Sequence, residues 1–453
     1  MKIFFIGIAG AGMASLARYA LEQGNEVFGS DPYASAQARA YWTDRGCRIY
    51  SEHHAQNIEG ADMVVYSSAI PVGNVERMAA SARGIAVSRG EALARFANAH
   101  GGSIAVCGTH GKGTTSGAVA HIFATAGIAA GDILGAVPRG RLSSSRYVEN
   151  ARYLVCEVDE SDRTHRFHRP KVLLLNNVEV DHLNTYRDLD DIVDAFADHI
   201  RACVASTVIV HYAGVGAPKL YARLSDLNRV IWIAHADEAC QAQWRYRYVS
   251  CDDEQRYTVE LRNGETAIQL DCGLCGRANA QNLVSASVTA LTLGVDAAYV
   301  VAACRTYAGL CDRCEVTRNG RRALVTDYAS HPTCVENDIA WNRTQCHRIL
   351  AVYHPYRYSL MAYHWDGLAR ALSRADVVFI APFDGAGEPP VEGMDSEDLA
   401  RRIRAYVPTC RAMAFDSFDA LEKAAKTILT DDDRLIIFGG GPLFTMGHRI
   451  LGS

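Results

Sequence analysis

The run Gly108-Thr109-His110-Gly111-Lys112-Gly113-Thr114-Thr115 sets one lysine and several hydroxyls in a glycine-rich turn. An apolar stretch precedes it and a helical pattern follows. Backbone N–H groups there would cradle phosphates, Lys112 would neutralise them, and a hydroxyl of Thr114 or Thr115 would reach Mg²⁺. Val106 and Gly113 stand at two fixed positions of the full GxxxxGK[ST] pattern, so the match is incomplete. Glu157-Val158-Asp159-Glu160-Ser161-Asp162 closes another apolar run. A carboxylate there would hold Mg²⁺ beside the phosphate loop, or the segment is a solvated acidic loop. Asn176-Asn177-Val178-Glu179-Val180-Asp181-His182 closes a third. His182 reads as a metal ligand, a proton carrier or a structural hydrogen-bonder. Near the start, Gly7-Ile8-Ala9-Gly10-Ala11-Gly12 offers a second phosphate turn, with Asp31 placed to meet a nucleoside. A dinucleotide, a nucleotide sugar and a ligand-free turn all fit that pattern.

These segments need elements to hold them. Residues 2–8 form a short apolar run, 12–22 carry a helical period, and 26–30 read as the next strand. A second strand–turn–helix unit starts at 103–107, with buried strands at 152–158 and 171–176. A third block begins near 322–326 and continues through 348–353, 377–381 and 435–438. Alternation of this kind makes an α/β protein with mostly parallel, doubly wound sheets. Boundaries fall in the small or polar stretches near 98–102 and 309–313.

The composition agrees. The chain has 453 residues, 49% hydrophobic and 21% charged. That suits a globular protein of roughly three domains at about 150 residues each. A net charge of −5 argues against a nucleic-acid partner bound by bulk charge. No long uninterrupted apolar stretch implies a membrane span. Residues 3–17 after Lys2 resemble a signal peptide, but Gly7, Gly10 and Gly12 fit a buried strand entering a turn, so a cytoplasmic location is expected. Fourteen cysteines are many. Cys107, Cys156, Cys203 and Cys304 sit singly in apolar runs and read as small buried hydrophobes.

Taken in order, the segments resemble the Mur ligases, through nearly the whole chain. Residues 7–13 are similar to that family's GIGGAGM loop, and Val64-Val65-Tyr66-Ser67-Ser68-Ala69-Ile70 to its VVxSSAI. Residues 108–115 resemble GTHGKTTT, 157–162 resemble ExDESD, and 181–186 resemble DHMDTY. Gly276-Arg277-Ala278-Asn279-Ala280-Gln281-Asn282 is similar to GRHNxxN, Asp312-Arg313-Cys314-Glu315 to RRFE, and residues 327–333 to DYGHHPT. His354-Pro355-Tyr356-Arg357-Tyr358 resembles PHRY, and residues 387–396 the GExP…GxDS segment.

The resemblance implies three domains: a Rossmann-like domain at 1–98 that binds a UDP-linked substrate, a central ATP-binding domain at 99–312, and a Rossmann-like amino-acid-binding domain at 313–453. It implies an ATP- and Mg²⁺-dependent amide ligase of peptidoglycan synthesis. The partners would be UDP-N-acetylmuramate or a related UDP-sugar acid and an amino acid, with L-alanine expected. By the same resemblance Gly10, Ala11, Gly12, Met13, Asp31, Ser67, Ser68 and His110 would meet the UDP substrate. Gly108, Thr109, Gly111, Lys112, Gly113, Thr114 and Thr115 would hold the ATP phosphates. Thr114, Glu157 and His182 would hold Mg²⁺. Asn279 and Asn282 would face adenine, and Arg313 and Asp327 phosphate and ribose. His331 and Arg357 would orient the amino acid or the intermediate. Other members of the family that use a different amine or acid, in murein recycling or folylpolyglutamate synthesis, remain alternatives. So does a nucleotide-binding regulator without turnover.

Four positions depart from the alanine-adding branch. Gly113 replaces a threonine, Ala278 a histidine and Leu360 an arginine, and Phe438-Gly439-Gly440-Gly441-Pro442 lacks an acid. No lysine lies in residues 183–200, where later-acting members carry a carbamylated one. Outside the family pattern, Cys272 and Cys275 with Cys311 and Cys314 form two CxxC pairs, a spacing that zinc takes, but the length between the pairs exceeds the usual ribbon spacing and favours coincidence in a cysteine-rich chain. The segment 164–169 reads as an exposed loop or a basic substrate patch.

Overall fold

The computed structural model describes residues 1–452. Three sheets, each built from a contiguous stretch of chain, account for the architecture. The first has five parallel strands, ordered Ile49–Tyr50, Glu26–Ser30, Lys2–Ile6, Met63–Tyr66 and Ala86–Ser88. Its central strand is apolar throughout because both faces are covered: Ile3, Phe4, Phe5 and Ile6 are fully buried. Helix Arg89–Ala99 leads to the second sheet. Ser88 caps it by accepting from the Glu91 N–H, which fixes where the chain leaves the first sheet.

The second sheet has ten strands. At its middle Ser103–Cys107 lies between Val172–Leu175 and Tyr153–Glu157, all parallel. Three neighbouring strands therefore end side by side, and the 108–115, 157–162 and 176–182 segments leave from those ends. That is where open α/β sheets collect ligands. Helix Lys112–Thr125 is buried along most of its length, under Arg277–Thr292 and Ala297–Thr306. Gly117 allows the close approach: a Cβ there would lie 2.3 Å from the Tyr307 hydroxyl, which donates to the Thr114 carbonyl at 3.1 Å. Antiparallel strands Trp244–Cys251, Arg256–Asn263 and Thr266–Cys275 extend the far edge. Their burial alternates, so an apolar-run criterion misses them.

The third sheet is ordered Glu315–Asn319, Arg322–Asp327, Asp433–Phe438, Arg348–Tyr353, Val377–Ile380 and Arg411–Ala414, parallel except for its first hairpin. Leu360, where an arginine was expected, packs against this domain's core. Gly440 in the acid-free segment makes room for the Tyr328 ring, whose nearest carbon lies 2.6 Å from where a Cβ would stand.

One expectation needs correction here, and the zinc alternative for the CxxC pairs finds no support. The 164–169 segment is not an exposed loop: it contains the 3₁₀ turn Thr164–Phe167, with His165 and His168 each 1% exposed beneath it. The four cysteines of the CxxC pairs are not gathered. Cys272 lies near Cys304, Cys275 near Arg256, and Cys314 bonds Asp327 and Asp338. Among the described residues, no cluster of metal-ligating side chains holds more than one of the four. The spacing of cysteines along the chain did not translate into proximity, because a long helical stretch separates the pairs.

Candidate active site

A cavity of about 750 Å³ runs from Gly12 of the first domain, past Lys112, to His331 and Trp341 of the third. At its centre Lys112 Nζ lies 3.0 Å from both carboxylate oxygens of Glu160 and 2.8 Å from the Gly108 carbonyl. Burial works against the ammonium form, but Glu160 and Asp159 outweigh it and raise the Lys112 pKa. Lys112 therefore stays charged. Burial likewise acts to raise the Asp159 pKa, but Lys112, Arg89 and His182 hold it at about 2. His182, at φ +52°, turns its Nε2 to 3.5 Å from Glu160 Oε1. Burial opposes its charge, and Glu160 and Asp181 reverse that and raise its pKa.

Asp159, Glu160 and His182 form one group with ligand atoms within 4.8 Å of one another. Of the expected Mg²⁺ trio, Thr114, Glu157 and His182 all line the cavity, but Glu157 does not join the group around His182. Glu157 Oε2 accepts from the Gly135 N–H at 2.7 Å. A Cβ on Gly113 would lie 3.1 Å from that oxygen and from Leu310. Gly113 thus leaves room for the Glu157 carboxylate. Carboxylate and hydroxyl oxygens at the phosphate loop are the donors that Mg²⁺ takes. Thr115 departs from its expected place: it is fully buried under the loop and accepts from Asn176 Nδ2 at 2.7 Å.

Asn279 and Asn282 line one side of the cavity, with Ala278, Tyr257 and Trp341. Gly111, at φ +76°, lets Asn282 approach: a Cβ would stand 2.1 Å from its Oδ1. Arg313 donates to the Tyr328 carbonyl at 2.8 Å and lies 4.0 Å from Asp327.

The third domain meets the central one through three histidine rings. His110 and His331 lie 4.4 Å apart between centroids, and His331 and His364 4.5 Å. His331 Nδ1 accepts the Thr333 N–H at 3.2 Å, capping helix Pro332–Arg343, and Nε2 lies 3.0 Å from the Val180 carbonyl. A carbonyl only accepts, so Nε2 carries the proton and the ring is neutral. Burial and the neighbouring His110 and His364 hold its pKa down at about 4. Burial pulls His110 down too, but Cys334 and Glu179 beside it lift it to about 10. Glu179 also accepts from Thr333 Oγ1 at 2.8 Å, and His364 Nε2 lies 3.2 Å from Asp181 Oδ1.

Several expected residues stand elsewhere. Arg357 does not line this cavity; it pairs with Glu388 at 3.1 Å. Of the first domain's turn only Gly12 lines it, not Gly10, Ala11, Met13, Asp31, Ser67 or Ser68. The Met13 side chain is in the core. Asp31 accepts from the Ala9 and Tyr33 N–H groups, both at 3.0 Å, and so braces the turn. Helix Ala11–Glu22 has no side-chain cap, which leaves its first N–H groups for an anion. Arg89 was not anticipated. It reaches 3.4 Å from Asp159 and packs beside Gly12, joining the first domain's turn to the 157–162 segment. Glu160, Glu179 and Asp181 lay inside the chosen segments, but which side chain each would meet depends on the fold.

A three-sheet chain with a glycine-rich lysine loop facing a third domain has the architecture that suits a nucleotide-dependent ligase. Family models agree: "Mur ligase family, catalytic domain" matches residues 2–100, "Mur ligase middle domain" 106–290 and "Mur ligase, glutamate ligase domain" 312–441. The chain belongs to the Mur ligase family. Similar curated proteins include the UDP-N-acetylmuramate–L-alanine ligases of Synechococcus sp. and Gloeobacter violaceus, each 32% identical over 97% of this chain and covering 89% and 93% of theirs. Among solved structures, a UDP-N-acetylmuramate–alanine ligase from Thermotoga maritima superposes with TM-score 0.80 at 21% identity, over 100% of this chain and 98% of that one. A murein peptide ligase from Psychrobacter arcticus gives 0.74 at 24%, with the same coverage.

Proposed function

We propose that this chain is a cytoplasmic ATP-dependent ligase that joins L-alanine to the lactyl carboxylate of UDP-N-acetylmuramate in peptidoglycan synthesis. One observation carries the reading: a single cavity joins the first domain's helix start, the Lys112–Glu160 centre and the third domain. Full-length relatives bearing that activity in their names support it. The division at 1–98, 99–312 and 313–453 gives each domain its own substrate.

In this reading the substrate carboxylate attacks the γ-phosphorus, and the bond to the β–γ bridging oxygen breaks to release ADP. The alanine amine then attacks the acyl carbon and loses a proton, and the carbon–oxygen bond to phosphate breaks. Lys112 neutralises the β- and γ-phosphates, for which it must leave Glu160. Asn279 and Asn282 bound the adenine, and Arg313 and Asp327 the phosphate and ribose. Mg²⁺ bound among Thr114, Glu157 and His182, with Asp159 and Glu160 at hand, would screen the phosphate charges. Ala11 and Gly12 would present N–H groups to the UDP diphosphate, while Gly10 closes the turn by donating its N–H to the Gly7 carbonyl at 3.1 Å, and Ser67, Ser68 and Asp31 shape the end of that sheet. Both His331 nitrogens are engaged, so this ring positions the third domain and does not collect the amine proton. Arg357 would have to leave Glu388 to meet the amino-acid carboxylate.

The test is phosphate release with UDP-N-acetylmuramate and each common amino acid in turn. Turnover with alanine supports the reading. Turnover only with a peptide supports the second reading, a murein peptide ligase, favoured by Leu360 packing half-buried against the third domain's core where an arginine was expected. ATP binding without turnover on any substrate would overturn both.

A further inference from the structure

The linker into the third domain carries a cluster that the proposed reaction does not use as a unit. Cys314 takes the phenylalanine position of the RRFE-like segment. Its backbone sits at φ +46°, a left-handed conformation uncommon for a side chain larger than glycine. That bend directs Sγ to 2.9 Å from Asp327 Oδ2 and 3.1 Å from Asp338 Oδ1. Asp327 and Asp338 are only 6% and 5% exposed. Asp338 is held on one side by Trp341 Nε1, 3.3 Å from Oδ1, while its other oxygen, Oδ2, is buried without any hydrogen-bond partner. Among the described residues the one cation paired with either carboxylate is Arg313, at 4.0 Å from Asp327 and already bonded to the Tyr328 carbonyl.

Two buried carboxylates and a thiol converge here with one distant cation. Ligand atoms from all three lie within 4.8 Å of one another. We propose that Cys314, Asp327 and Asp338 form a binding site for a thiophilic divalent cation of the Zn²⁺ class. One sulphur and two carboxylates supply three of the four ligands of a tetrahedral centre, and all three residues line the cavity, so solvent would supply the fourth. The sulphur selects against Mg²⁺, which takes oxygen. The site differs from the CxxC arrangement: Cys272, Cys275 and Cys311 do not contribute to it.

The experiment uses the full chain, stripped with a chelator and titrated with Co²⁺. One equivalent should bind with a thiolate-to-cobalt charge-transfer absorption that Zn²⁺ displaces. C314S and D338N should both lose that band while keeping the far-ultraviolet signature of the fold. No such band in the unmutated protein, or the same band in C314S, overturns the proposal. X-ray absorption on the zinc-loaded unmutated protein gives the same reading should a variant not fold. One sulphur among oxygen or nitrogen ligands is expected. A shell with no sulphur, or with several, overturns it.

Discussion

The molecule holds two glycine-rich strand–turn–helix units that look alike in sequence and differ in what surrounds them. In the first, Gly7 to Gly12, side chains are withdrawn: Ile8 and Met13 are core, and Asp31 braces the loop. What remains is backbone N–H and an uncapped helix start. In the second, Gly108 to Thr115, charged side chains converge and neutralise one another: Lys112, Asp159, Glu160 and His182. A turn that only grips a diphosphate needs donors and a helix end. A turn that handles a phosphoryl group in transfer also needs charged side chains placed where charge develops.

The largest test of that contrast is Lys112→Ala. Phosphate release should fall by about 10³-fold or more, while UDP-N-acetylmuramate binding, measured calorimetrically, stays unchanged. Loss of both together would show that the turns are not separate devices.

The contrast extends to acid tolerance. His168 and His199 are buried in the central domain, and burial lowers both to about 3. An unfolded histidine titrates near 6.5. The unfolded chain therefore takes up protons that the fold refuses, and stability present above pH about 6.5 drains away as pH falls toward about 3. The slope is about 1.4 kcal/mol per pH unit for each histidine. Denaturant melts at pH 7 and 5.5 should show the loss, with limited proteolysis cutting the central domain before the first. Earlier cleavage of the first domain would contradict this.

A matched pair of glycine changes comes next. Gly111→Ala meets both a left-handed backbone and the Asn282 side chain, so about 2–3 kcal/mol of stability and most ATP turnover should go. Gly7→Ala meets the same φ of +76° but nothing nearer than Ile70 at 3.6 Å, so about 1 kcal/mol is expected. Equal thermal shifts would say that crowding at Gly111 does not matter.

The smallest effect belongs to Arg89→Ala. Arg89 bridges Gly12 of the first turn and Asp159 beside the second, but its pair with Asp159 is 3.4 Å long and partly exposed. Stability should change by less than about 1 kcal/mol. KM for the UDP substrate should rise a few-fold with kcat nearly constant. A fall in kcat alone would place Arg89 on the ATP side only.

The strand-end segments were legible because glycines and charged residues interrupt apolar runs there, and parallel strands bring such ends together. Pairings between segments were not legible. Nothing local says that Glu160 holds Lys112, or that His364 reaches Asp181 from another domain. The antiparallel edge strands lacked apolar runs, and buried His165 and His168 looked like surface because Arg166 and Arg169 lie beside them. Thr115 and Met13 matched a motif in type, yet the turn of the helix points both inward.

In His331 of the third domain, the nitrogen that accepts from Thr333 belongs to the helix start, and the one facing Val180 belongs to the contact between domains. The helix alone therefore dictates where the ring keeps its proton. Any swing of the third domain would break the Val180 contact and leave the donor unchanged. The domain carries a pre-oriented N–H with it, so docking requires no tautomer exchange before the bond re-forms.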